Sequence, residues 1–374
     1  MCTQNQCHMR KRENILKKKY KVRVAIVCGS MNIGGGEMMA AKLAGYIDRD
    51  KFDVKYFVIA KYIDNQIAEN LRNNKTEFEC LGLPNSFNFR SYKKFAQALK
   101  NYLPDVVHCH LDVSYSWIWS ILNNKPLIST MHSNPFIRRD KRVAAVMKIK
   151  SIQGKLRVIG CSKKTMELVQ RCYHLKDSQM GYIYNPISVS DFMQAPFNNT
   201  KCNFVALGRL HKIKNYPLML QAFKIVSETH ENIHLSIAGS GSLEIELKKL
   251  VEQLGIKEKV DFLGNVRDVP SLLNRMDVLL LSSTSEACPM VILEAMASGL
   301  PVIATDVGGV SELISDNGIV VPSEDVNTFA LAMIKIIDDP FLLKDMGYKG
   351  RLYSSKYDKT NIAAEYGQEY LNLV

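Results

Sequence analysis

No stretch of this 374-residue chain stays apolar long enough to cross a membrane. The longest strongly apolar run, Met276 to Leu281, is far short of the roughly 20 residues that a spanning helix needs. The basic N-terminus is not followed by an apolar segment, which argues against a secretory signal. The nine cysteines have no regular spacing, so a disulfide framework is not expected. Cys28, Cys109 and Cys161 fall in apolar runs and read as buried, reduced thiols. Cys2, Cys7 and His8 share a polar tail with no fourth ligand, which is too little for a metal site. No repeat or low-complexity tract interrupts the chain, and no basic segment interleaved with aromatics points to RNA. A nucleic-acid partner is therefore not expected. Asp48-Arg49-Asp50 has the Asp-x-Asp form of a metal ligand pair but falls in a polar turn after the first helix, and reads as surface.

What is present is a soluble composition at a length that suits two domains. Charge is unevenly spread. Residues 1–185 hold 32 Lys and Arg against 14 Asp and Glu, a net +18, while the rest hold 17 against 23, a net −6. A basic half implies an anionic partner: nucleic acid, set aside above, an acidic lipid surface or a phosphorylated acceptor.

Both halves alternate short apolar runs with amphipathic segments. Val22–Cys28, Val54–Ile59, Val106–Cys109, Leu127–Met131 and Leu156–Cys161 read as strands of the first half. Asn203–Leu207, Ile233–Ala238, Lys259–Leu263, Val278–Leu281, Val302–Ala304 and Ile319–Val321 read as strands of the second. Tyr216–Thr229, Leu243–Leu254, Met290–Ser298 and Asn327–Ile337 carry helical spacing. Strands alternating with helices mean βαβ units and a mainly parallel sheet. The expected fold is thus α/β, two facing Rossmann-like, doubly wound domains with a cleft between them. The expected boundaries are a tail over 1–20, a first domain over 21–190 and a second over 200–355, with a helix at about 356–374 free to pack back on the first. Ligands in such sheets bind at the carboxyl ends of the strands, near a switch in strand order.

Three segments carry candidate chemistry. In Ser285-Glu286-Ala287-Cys288-Pro289-Met290-Val291-Ile292-Leu293-Glu294, Pro289 suits the first helical turn. The amides of Met290, Val291 and Ile292 then make a phosphate site at a helix start. Glu286 and Glu294 flank it; taken alone, the first could be a helix cap and the second a solvated residue. Gly208-Arg209-Leu210-His211-Lys212-Ile213-Lys214-Asn215 follows a strand and places Arg209 and Lys214 over the cleft, where they could neutralise a diphosphate. Gly29-Ser30-Met31-Asn32-Ile33-Gly34-Gly35-Gly36-Glu37 lets backbone approach a ligand, but it is not the Gly-x-Gly-x-x-Gly dinucleotide fingerprint. His110 and His132 end two apolar runs; His108 reads as buried.

The segment Glu286 to Glu294, followed by Ala295-Met296-Ala297-Ser298-Gly299-Leu300-Pro301, closely resembles the signature of the retaining glycosyltransferases of family 4. Supporting matches run from about Val22 to Tyr366 and include Asn185-Pro186, Gly239-Ser240-Gly241 and Asp306-Val307-Gly308-Gly309. The resemblance implies the two-domain fold called GT-B, with no cofactor and no metal ion. It implies that Glu286 contacts the donor sugar, Glu294 the ribose, and Arg209 and Lys214 the diphosphate. Gly34, Gly35 and Gly36 would approach diphosphate and acceptor, and His132 the donor sugar and acceptor, with His110 in a supporting or acceptor role. Val266 and Arg267 would cover the nucleobase, and Gly239 would shape the adjoining corner. The expected partners are a nucleotide sugar, with UDP-sugars the commonest, and a lipid-linked or cell-surface glycan. A nucleotide-sugar 2-epimerase, a phosphorylase or an inactive donor-binding homologue are the alternatives.

Two basic segments frame a last expectation, of a cytoplasmic enzyme peripheral on the inner face of the membrane. Arg90, Lys93, Lys94 and Lys100 share one with Phe95, Leu99 and Tyr102. Arg138, Arg139, Lys141, Arg142, Lys148 and Lys150 share the other with Val143, Val146, Met147 and Ile149. Each could lay a cationic rim beside an apolar stripe on an anionic membrane.

Overall fold

A computed structural model describes residues 20–29, 35–84, 88–110, 114–132, 141–195 and 201–374, with backbone alone at 141–143. Gly34, the tail with Cys2, Cys7 and His8, and Arg138 and Arg139 lie outside the described residues, as do the side chains of Lys141, Arg142 and Val143.

The first sheet has seven parallel strands: β1 (Val22–Cys28), β2 (Phe52–Val58), β3 (Glu77–Cys80), β4 (Val106–His110), β5 (Leu127–Met131), β6 (Leu156–Gly160) and β7 (Met180–Tyr182). Their order is β3-β2-β1-β4-β5-β6-β7. The second has six: β8 (Cys202–Leu207), β9 (Ile233–Ala238), β10 (Val260–Gly264), β11 (Val278–Leu281), β12 (Val302–Thr305) and β13 (Gly318–Val321), ordered β10-β9-β8-β11-β12-β13. Each is a doubly wound sheet whose strand order reverses beside its first strand. The helices are α1 (Gly35–Tyr46), α2 (Asn65–Asn73), α3 (Phe89–Tyr102), α4 (Ser114–Leu122), α5 (Lys141–Ile152) and α6 (Lys163–Tyr173) in the first half. In the second they are α7 (Tyr216–Ser227), α8 (Glu244–Gln253), α9 (Val269–Leu273), α10 (Met290–Ser298), α11 (Val310–Leu313), α12 (Val326–Asp338), α13 (Pro340–Ser354) and α14 (Lys359–Leu373).

Period-two alternation in β1 shows why the strands are apolar throughout. Val24, Ile26 and Cys28 face a layer that includes Met39, Leu43, Ile67 and Leu71. Ala25 and Val27 face Phe95, Leu99, Trp117 and Met147 on the opposite side. The last helix joins the first of these layers, where Ile362, Ala363, Tyr366 and Tyr370 are buried. Arg157 on β6 grips it with a two-pronged ion pair to Glu369, at 2.8 and 2.7 Å.

Two strands had no signature in the sequence. β3 alternates Glu77, Phe78, Glu79 and Cys80, and Lys55 pairs with both glutamates at 2.7 and 3.1 Å. β7 has three residues. Both are sheet edges, where short and charged strands are usual, so no apolar run marks them.

The two basic segments need correction. Phe95 and Leu99 are wholly buried, so the stripe of α3 faces the sheet core rather than a membrane. Met147 is also in the core. Lys150 is no surface cation: it is buried, and its ammonium donates to Ser120 O in the last turn of α4, to Lys125 O and to Gln153 Oε1. Burial lowers its pKa to about 8. The exposed apolar side chains here are instead Phe89, Leu103, Leu122, Ile149 and Ile152.

Candidate active site

In the second sheet β8 and β11 are neighbours, and the order reverses between them. The loops that leave their carboxyl ends carry both candidate segments, as expected for a ligand site in such a sheet.

Hydrogen bonds to backbone carbonyls hold the basic loop against the acidic one. Ser282 Oγ donates to Lys214 O and Asn215 O, both at 2.9 Å, and Thr284 N–H donates to Ile213 O at 2.8 Å. Asn215 takes a left-handed conformation, φ 46°, that turns the chain into α7. Tyr216 then returns its hydroxyl to Gly208 O at 3.0 Å. Lys214 Nζ is thereby delivered to Glu286 Oε1 at 2.5 Å, and Ser283 Oγ donates to the same oxygen at 2.7 Å. Both partners are largely shielded, with 21% and 12% of their side chains exposed. Arg209 is exposed at the start of the same loop.

The helix start differs in detail from the expectation. Pro289 caps α10 from outside rather than occupying its first turn. Ile292 N–H already donates to Pro289 O at 3.2 Å, which leaves Met290 and Val291 as the leading amides. Glu294 is half-buried, not solvated. Burial raises its pKa, partly offset by the charge of Lys42 on α1. Nothing in the sequence marks Lys42, Ser283 and Tyr216, because only the fold sets them beside the two loops.

Glycines let these loops pack backbone to backbone. At Gly239 (φ 140°) a Cβ would stand 2.0 Å from Gly208 O, so this residue shapes the corner under the basic loop. At Gly308 (φ 55°) a Cβ would stand 1.6 Å from Glu286 O. Val266 is packed against the apolar core and Arg267 is exposed just after β10.

In the first sheet β1 and β4 are the neighbours at the reversal, and Cys28 pairs with His110 at their ends. Gly35 and Gly36 are not in a loop: they begin α1, so their amides belong to a helix start. His110 Nδ1 lies 2.9 Å from His132 Nε2, so one ring donates and the other accepts. His110 is buried, and its Nε2 has no hydrogen-bond partner among the described residues. His108 packs 4.2 Å behind it, between Tyr370 Oη and Thr130 Oγ1, each at 2.8 Å. Burial holds all three imidazoles neutral at ordinary pH: His132 titrates at about 4, His108 at about 3, and His110 well below its usual range.

Burial pushes the Cys161 thiol up to about 12 and Cys288 well above its usual value, so neither is a thiolate nucleophile. The seven described cysteines are free thiols. Among the described residues no group of three or more His, Cys, Asp or Glu side chains could hold a metal ion. Asp48-Arg49-Asp50 lies beyond the far end of α1. There Asp48 pairs with Lys51 at 3.3 Å, and Arg49 donates to Val54 O, Ala44 O and Thr76 Oγ1.

Two family profiles divide the chain at the same place. Glycosyltransferase Family 4 matches residues 33–191, and Glycosyl transferases group 1 matches residues 190–353. A Campylobacter jejuni relative is 26% identical over 92% of this chain and 97% of its own. That protein is the GalNAc-α-(1→4)-GalNAc-α-(1→3)-diNAcBac-PP-undecaprenol α-1,4-N-acetyl-D-galactosaminyltransferase. An uncharacterized glycosyltransferase of Methanocaldococcus jannaschii is 29% identical over 70% of this chain and 73% of its own. Among solved structures, Anabaena HepE in complex with UDP superposes with a TM-score of 0.79 over 94% of this chain and 100% of its own, at 18% identity.

Proposed function

The chain belongs to the family-4 glycosyltransferases of GT-B fold, and on that premise we propose that it transfers a hexose from a UDP-sugar to a lipid-linked or cell-surface glycan. The observation that carries this reading is the Lys214–Glu286 pair, 2.5 Å apart, beside the start of α10 at the strand-order reversal. A cation, a carboxylate and leading helix amides within one corner are what a diphosphate joined to a sugar requires.

In the proposed reaction the donor diphosphate lies against Arg209, Lys214 and the amides of Met290 and Val291. As the glycosidic bond to the diphosphate breaks, negative charge grows on the leaving oxygen, and these groups are already oriented towards it. Glu286 holds the donor sugar by its hydroxyls, and Glu294 the ribose. The raised pKa of Glu294 fits a carboxylate that awaits hydroxyl donors rather than water. Arg267 and Val266 border the nucleobase. On the edge of the first sheet Gly35, Gly36, His110 and His132 receive the acceptor, with neutral His132 donating or accepting one hydrogen bond; the resemblance adds Gly34 to this set. The acceptor proton ends on the departing diphosphate. Retention of anomeric configuration and independence from metal ions belong to the same proposal, supported by the family resemblance. A sugar-nucleotide series, read by thermal shift and then by product NMR, tests it. A UDP-sugar should raise the apparent Tm, and the new linkage should keep the donor's anomeric configuration. Release of UDP with an epimerised free sugar would replace this reading by a 2-epimerase.

The acceptor proposal places the enzyme on the inner face of a membrane. No helix among the described residues is long and apolar enough to cross one. The support for contact is now the exposed Phe89, Ile149 and Ile152 beside Lys93, Lys94 and Lys148, on helices that carry no acidic residue. Each Lys or Arg near an anionic bilayer adds about 1 kcal/mol. Salt-sensitive flotation with anionic vesicles, and none with neutral ones, is the expected outcome. Equal binding to both would leave a soluble acceptor.

A further inference from the structure

The first amides of α6 belong to the first domain, but the group that satisfies two of them comes from the second. Glu312 Oε2 accepts from Lys163 N–H at 2.8 Å, and its Oε1 accepts from Lys164 N–H at 2.6 Å. The next amide, Thr165 N–H, goes to the cap residue Ser162 at 3.1 Å. Tyr184 Oη donates to Glu312 Oε2 at 2.9 Å. Helix starts leave such amides unpaired and carry partial positive charge, so a carboxylate is their natural cap. This one is delivered across the domain boundary and forms only when the domains hold this separation and angle.

Glu312 is also tied to the donor corner. It stands on α11, three residues after Gly309. Gly309 N–H donates to Glu286 O at 3.3 Å. A Cβ at Gly309 would stand 2.1 Å from Ala287 O and 2.8 Å from Ser162 Cβ. The 308–312 segment therefore meets the Glu286 loop backbone to backbone, and the start of α6 through only the short Ser162 side chain and Glu312. Packing this close transmits displacement rather than absorbing it.

We propose that Glu312 is a positioning residue: it registers the placement of the first domain through α6 and holds the Glu286 loop in line for transfer. It acts through Gly308 and Gly309 and touches no reacting atom. The inference rests on reading Glu286 as the donor-sugar ligand.

The full chain carrying Glu312→Ala or Glu312→Gln tests it, with UDP as the binding probe. Glu312→Ala should lower kcat about tenfold, since small misplacements of a site group are costly in rate. The Kd for UDP should stay within about twofold, because binding energy lost only in the transition state leaves ground-state affinity intact. Glu312→Gln keeps one acceptor oxygen and should recover part of kcat. Small-angle scattering with UDP bound should give a larger radius of gyration for Glu312→Ala than for the parent chain. Unchanged kcat and radius would overturn the proposal. So would a parallel loss of kcat, UDP affinity and Tm with no recovery by glutamine, which marks a purely structural role. If the parent chain transfers no sugar from any donor, the reading of Glu286 has failed, and an unchanged radius in Glu312→Ala alone overturns the junction.

Discussion

The two sheets reverse strand order in the same way, yet their facing edges are built on opposite electrostatic plans. At the second sheet the candidate groups are charged, partly exposed and held by hydrogen bonds to loop carbonyls, as at Lys214 and Glu286. At the first sheet they are imidazoles stripped of charge by burial, stacked from His108 through His110 to His132. In the proposed reaction the charged edge meets a diphosphate and the neutral one hydroxyl groups. A shared fold sets where ligands gather; local burial sets which charges they meet.

The charged edge breaks first under mutation. Lys214→Ala or Arg209→Ala should lower kcat by roughly 10²–10³, the usual loss for one preoriented charge-stabilising group. Steady-state kinetics with the best UDP-sugar checks this, and near-normal turnover in both variants would remove the diphosphate assignment. Gly308→Ala should come next, because a Cβ there meets Glu286 O at a left-handed φ. A loss of about tenfold or more in kcat/KM is expected, since a displacement of about 1 Å at a site can cost that much. Gly350→Ala, inside α13 with no atom nearer than 3.6 Å to its Cβ, is the control and should be far milder.

The neutral edge is sharpened by acid. His132 and His108 titrate at about 4 and about 3 in the folded chain, against an ordinary value of 6.5. Below pH 6.5 the unfolded chain takes up protons that the folded chain refuses, so the unfolded state binds more. Stability therefore rises with pH in this window, and falls as pH drops from about 6.5 towards 4. Tm measured from pH 8 to 5 should decline most steeply below 6.5, and His108→Gln should flatten that decline. The rate profile should show no histidine inflection near 6.5. An inflection there would mean that His132 is charged in the working enzyme and that the contrast between the edges is wrong.

The smallest expected effect is that of EDTA. With Arg209, Lys214 and helix amides supplying the positive field, activity should stay within about twofold of its untreated value. Complete loss, restored by Mg²⁺ or Mn²⁺, would show that the charged edge is incomplete without a cation.

Repetition of apolar runs and helical spacing determined the two parallel sheets, because a strand covered on both faces must be apolar throughout. β1, β5, β9, β11 and α10 have the limits that their sequence pattern predicts. Edge strands β3 and β7 escaped, since nothing packs on an edge strongly enough to demand an apolar run. The residues Glu286, Glu294, Arg209 and Lys214 were legible through the resemblance of their segments to a family signature; taken alone, each charge could equally cap a helix or face solvent. Their pairing was not: that Lys214 reaches Glu286 rather than solvent depends on Ser282 and Thr284, which hold the two loops together. The same is true of the burial of His110, the loss of Lys150 to a helix end and the delivery of Glu312 to α6. Local pattern records what a residue is covered by along its own element; charge state and partner depend on what comes through space from another, and that only the tertiary structure decides.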